Sequence, residues 1–91
     1  MIYLLLQHHI EDFARWKEAF DMHLAARQAG GATHEALLLR DVDDPQEIIA
    51  LLGWRDLTTA RLFIQSVSWQ MAIKKMGVVG VPEVRFLEAD G

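Results

Sequence analysis

Three runs of this chain are apolar on both faces of a strand, and no other feature constrains the fold as strongly. Ile2-Tyr3-Leu4-Leu5-Leu6, Leu37-Leu38-Leu39 and Ile48-Ile49-Ala50-Leu51-Leu52 lack the alternation of a half-solvated strand. Successive strand side chains point to opposite faces, so these runs require cover above and below their sheet. The 91 residues suffice for a single domain spanning 1–91, but the helical segments left over can cover one face only. A second copy of the chain is the simplest cover for the other face, so a homodimer through the sheet face is expected.

Composition narrows the function classes. A hydrophobic content of 52% excludes disorder, and the absence of cysteine removes disulfides and thiolate metal sites. A net charge of −4 without any basic run argues against nucleic acid and against an anionic membrane surface. The apolar stretch Met1–Leu6 is too short to span a bilayer. It also lacks the basic flank and small-residue cleavage site of a signal peptide, so it reads as a strand and the expected location is the cytoplasm.

After His8 the period changes. Phe13, Trp16, Phe20, Leu24 and Arg27 fall on one helical stripe, with Asp12 as the N-cap candidate and Gly30-Gly31 as the stop. Thr33–Arg40 reads as a second strand, and Asp41-Val42-Asp43-Asp44-Pro45 is turn chemistry leading to a third strand over Glu47–Arg55. A second helical region starts at Asp56 or Thr58, is interrupted around Ser66 and Ser68, and stops at Gly77. The stretch Val78–Val81 reads as a loop, Pro82 opens the last strand, and residues 88–91 form a fraying tail. The order β-α-β-β-α-β is the ferredoxin-like α+β plan: an antiparallel four-stranded sheet, order 4-1-3-2, with both helices on one face. Ile2, Leu4, Leu6 and His8 should face the helices, and Tyr3, Leu5, Gln7 and His9 the partner.

The segment His8-His9-Ile10-Glu11-Asp12-Phe13-Ala14-Arg15-Trp16-Lys17-Glu18-Ala19-Phe20-Asp21, with Arg27 and Gly30, resembles the opening of small proteins of the antibiotic-biosynthesis-monooxygenase-like superfamily. Arg40–Pro45 and Gly77–Glu83 are similar to that family's hairpin turn and its entry to the last strand. The resemblance covers essentially the whole chain. It implies a two-fold dimeric α+β barrel, formed by two sheets packed face to face, with a pocket in each subunit between sheet and helices. Members include oxygenases, haem degraders, isomerases and proteins of unknown activity, so the fold does not fix the chemistry.

His8 is the strongest catalytic candidate, because it closes the apolar row of the first strand where the first helix begins. A histidine there can act as a general base or bond a ligand's oxygen; the structural alternative is that it caps a neighbouring carbonyl. Phe13, Trp16, Trp69 and Met76 are candidates to line an aromatic-tolerant pocket, against the alternative of plain core filling, which suits Trp54 best. His9 points away from His8. With no HExxH, HxH or carboxylate cluster at ligand spacing, no dedicated metal site is expected, at most an opportunistic ion at the dimer surface. Arg27 is out of place on an apolar stripe, but it lies ~21 Å along the helix from Phe13, and it and His23 are expected to be structural. The acidic turn lacks the glycine and spacing of a calcium loop, and Gly77–Gly80 precedes a strand rather than a phosphate-binding helix.

Together with the resemblance, these residues point to a cofactor-independent, monooxygenase-like or cyclase-like enzyme acting on a small apolar or aromatic molecule. The alternative is a non-catalytic small-molecule-binding or accessory homodimer.

Overall fold

In the computed structural model, which describes residues 1–90, the chain runs β1 (Ile2–Ile10), α1 (Phe13–Met22), α2 (Leu24–Gly30), β2 (Ala32–Arg40), β3 (Glu47–Trp54), α3 (Leu57–Ile64), α4 (Val67–Lys75) and β4 (Val78–Glu88). Gly91, the end of the expected tail, lies outside the described residues. The helix starts are set by side-chain caps. Asp12 accepts from the Arg15 amide at 3.0 Å, Asp56 from the Thr59 amide at 2.8 Å and Ser66 from the Trp69 amide at 3.1 Å. α2 ends where Gly31 takes φ 119°, a conformation that disfavours any Cβ.

The four strands form one antiparallel sheet, order β2-β3-β1-β4, the expected order taken from the opposite edge. β1 pairs with β3 from Ile2↔Trp54 through His8↔Ile48 to His9↔Glu47. Leu4, Leu6, His8 and Ile10 are buried, while Tyr3, Leu5, Gln7 and His9 between them are only partly so. The even-numbered row therefore faces the core, as the sequence indicated. That core holds Leu4, Leu6, Trp16, Ile48, Leu52, Trp54, Phe63, Trp69 and Met76. Burying one large side chain of this kind stabilises the fold by about 1.5–3 kcal/mol.

Three expectations are corrected. The sheet does not close into a barrel: among the described residues β2 pairs only with β3 and β4 only with β1, which leaves two free edges. Closure needs the outer strands to reach each other, and a twisted four-stranded sheet splays them apart. The first helical region is also two helices, whereas the break of the second at Ser66 is the interruption the sequence indicated. The first breaks at His23 (φ −85°, ψ 1°), whose amide bonds the carbonyls of Ala19 and Phe20. The break lets Arg27 reach back to the Phe20 carbonyl at 2.6 Å and lie 3.8 Å above the Phe20 ring. Finally, Val78 and Val79 pair with Ile10 and His9, so the expected loop is the start of β4. Gly80, at φ 75°, carries the strand through a bulge between Val79 and Glu83.

Candidate functional site

Strand parity sends His8 to the helix side of the sheet, and the first turns of α1 bring Trp16 over it. The Trp16 Nε1–H donates to His8 Nε2 at 2.8 Å. Trp16 is fully buried and held by Phe20, stacked at 4.9 Å between centroids, and by Phe13 at 6.0 Å. An indole N–H only donates, so His8 Nε2 must be the unprotonated nitrogen and the ring proton must sit on Nδ1. His8 is 4% exposed, and among the described residues no acceptor meets its buried Nδ1. A buried donor left unmatched costs about 1–3 kcal/mol. Beside it, β4 leaves the ladder: Gln7 pairs with Glu83 and His9 with Val79, while His8 has no partner on that strand.

Burial pushes the His8 pKa below the usual histidine value, and the nearby Glu47 charge opposes this only in part. The hydrogen bond from Trp16 acts in the same sense as burial, because a proton on Nε2 would face another proton. His8 is thus a neutral hydrogen-bond donor pointing into the interior, poorly suited to taking up a proton on its bonded nitrogen.

The other expected residues divide. Phe13 and Trp16 are packed together at His8. Trp69 belongs to the same core but packs at a tilt against Phe63, which also touches Trp54 and His23, and Met76 is buried at 2% exposure. Trp54 donates to the Gly30 carbonyl at 3.2 Å, a core role. Arg27 is 5% exposed and satisfied within its own chain by the Phe20 carbonyl and ring. Between α1 and α4 lies a groove of about 410 Å³ walled by Ala19, Met22, Met71 and Ala72, with His23, Ser68 and Lys75 as its polar groups. His23 Nε2 is 3.0 Å from Ser68 Oγ, and the His23 pKa is lowered by burial first and then by Arg27 and Lys75. The walls of this groove do not include His8.

These two depressed values make a prediction. The unfolded chain takes up these histidine protons near the ordinary value of about 6.5, before the folded chain does. The folded state's advantage is therefore complete above that pH and shrinks as pH falls through the lower folded values. Urea midpoints should drop between about pH 7.5 and pH 5, and His8→Gln should flatten the drop. An equal drop in that variant would contradict the assignment.

One grouping was missed by local spacing. His9, on the open face, pairs across the sheet with Glu47, and Asp44 at the end of the turn joins them. Aligning the first and third strands antiparallel, with β3 starting at Glu47, would have revealed the His9–Glu47 pair.

No protein-family model matches the chain, and no curated protein is significantly similar to it in sequence. Solved structures are similar to it in fold. A provisionally assigned antibiotic biosynthesis monooxygenase from Bordetella bronchiseptica superposes with a TM-score of 0.80 at 18% identity, over 98% of this chain and 96% of that one. SnoaB, a cofactor-independent oxygenase from Streptomyces nogalater, gives 0.77 at 14% identity, over 99% and 93%. A further provisionally assigned monooxygenase, from Caulobacter crescentus, gives 0.75 at 16% identity, over 99% and 90%. The chain shares the α+β fold of these structures. No helix among the described residues is long and apolar enough to cross a membrane.

Proposed function

We propose that this chain is a cofactor-independent, monooxygenase-like enzyme for a small apolar or aromatic molecule, with His8 as the group that meets the substrate's oxygen. The observation that carries the reading is the buried His8 Nδ1, made a donor by the Trp16 bond to Nε2 and matched by no acceptor among the described residues. A substrate hydroxylate or carbonyl oxygen is the acceptor it lacks. Oxygen chemistry without a cofactor requires a substrate that gives up an electron as an anion. A fixed donor in a low-dielectric interior favours that anion without reorganising. His8 therefore orients and stabilises the anion rather than exchanging protons, and the substrate's own proton is lost to solvent water before the anion is bound. Trp16, with Phe13 packed on it, supplies the apolar surroundings beside His8. The fold shared with SnoaB supports the reaction class but not the substrate.

The second reading, a non-catalytic binding protein, is favoured by the α1–α4 groove, which offers apolar walls and a polar rim without involving His8. A panel of planar phenols, followed by tryptophan fluorescence for binding and oxygen uptake for turnover, separates the two. His8→Ala should keep binding and lose turnover by roughly 100-fold or more, the scale of losing one donor to a developing oxyanion. Unchanged binding and turnover in the variant would remove His8 from the site.

The proposal includes a homodimer through the open sheet face. Leu5, Ile49 and Leu51 lie there, flanked by Leu37 and Leu39, which are 52% and 45% exposed. Four strands about 4.8 Å apart and eight residues long give a face of roughly 500 Å² in projection, more as accessible surface. That is the order of area each partner buries in a stable dimer. Two-fold pairing lets one patch cover itself.

A further inference from the structure

We propose that His9, Asp44 and Glu47 form a binding site for a divalent first-row transition ion of the zinc type, on the face of the sheet opposite His8 and independent of the function proposed for it. The three come from different places in the fold: His9 from β1, Glu47 from the start of β3 and Asp44 from the turn before it. His9 Nδ1 lies 3.2 Å from Glu47 Oε2 and 3.8 Å from Asp44 Oδ2, and one ligand atom from each residue falls within 4.8 Å of the others. Around zinc, with metal–ligand bonds of about 2.0–2.2 Å in tetrahedral array, neighbouring donors sit roughly 3.4 Å apart. The two measured separations bracket that spacing.

The supporting contacts are as specific as the ligand atoms. Glu47 Oε1 accepts from Gln7 Nε2 at 3.3 Å, and Asp44 Oδ1 accepts from the Gln46 amide at 3.2 Å. Each carboxylate therefore has one oxygen anchored by a neutral donor and the other turned toward His9. Outer contacts of this kind fix the orientation of metal ligands. Among the described residues no lysine or arginine forms an ion pair with Asp44 or Glu47. Two carboxylates facing one imidazole nitrogen thus lack a permanent cation. An ion bonded at His9 Nδ1 would add the missing positive charge.

The donor set selects the ion. One imidazole with two carboxylate oxygens suits zinc and its transition-metal neighbours better than calcium or magnesium, which prefer oxygen alone. Three protein donors also leave at least one position for water, the pattern of open rather than structural zinc sites.

The test is calorimetric titration of the metal-stripped protein with zinc chloride in a non-chelating buffer, with magnesium chloride as comparison. The expected result is one saturable zinc equivalent per chain, with magnesium at least about tenfold weaker. His9→Ala and Asp44→Asn should each weaken zinc by at least about tenfold, whereas His34→Ala, away from the cluster, should not. Asp44→Asn keeps the acceptor for the Gln46 amide and loses only the charge, so it preserves the turn even if another variant folds poorly. Absence of saturable zinc binding, or affinity retained in both His9→Ala and Asp44→Asn, would overturn the proposal.

Discussion

Trp16→Ala is expected to destabilise the fold by about 3–5 kcal/mol, the range for emptying a buried tryptophan site. Trp16 is fully buried, stacks between Phe13 and Phe20, and is the donor that fixes His8. Urea denaturation of the purified variant measures the loss. Trp16→Phe separates packing from hydrogen bonding. It retains most of the aromatic contact but removes the indole N–H, leaving His8 Nε2 as a buried acceptor without a donor, at a cost of about 1–3 kcal/mol. It also removes the bond that favours the neutral ring, so the His8 pKa should rise relative to the unaltered protein. A Trp16→Phe protein as stable as the parent, with His8 titrating unchanged, would show that the contact does not set the state of His8.

A lysine at Leu51 should convert the proposed dimer to single chains. Leu51 lies between Leu5 and Leu37 across the open face, so the substitution places a charge at the centre of the proposed contact. Burying an unpaired ammonium costs several kcal/mol, which corresponds to two or more orders of magnitude in association. Light scattering at micromolar concentration should report twice the 10.4 kDa chain mass for the parent and the single-chain mass for Leu51→Lys. The variant should stay folded, because Leu51 contributes to the outer face and not to the buried row of Leu4, Leu6 and Leu52. A parent protein of single-chain mass would remove the dimer from the account.

The residues that revealed the fold are those whose neighbours are local. The stripe from Phe13 to Arg27, the Asp41–Pro45 turn and the capping side chains all act within a few positions of themselves, so element order and strand neighbours were legible. The parity of β1 was legible because the row Leu4, Leu6, His8 is more apolar than Tyr3, Leu5, Gln7. What escaped depends on contacts distant in sequence. The break at His23 accompanies the return of Arg27 to Phe20, and nothing in Met22-His23-Leu24 announces it. Val78 and Val79 looked like a loop because glycines flank them, yet Ile10 and His9 offered them partners. The open sheet edges are a matter of global twist, which no short segment encodes. At the site, His8 and Trp16 were both named from sequence, but not the bond between them, which disfavours the general-base role and leaves the bond to a ligand's oxygen. The His9–Asp44–Glu47 grouping required the register of two strands.

The most direct measurement is the nitrogen-15 spectrum of the His8 imidazole at neutral pH, assigned through His8→Gln. A neutral ring with its proton on Nδ1 and a bare Nε2 is the predicted result. A proton on Nε2, or a doubly protonated ring, would contradict the account, because the interior would then hold no donor waiting for a substrate's oxygen.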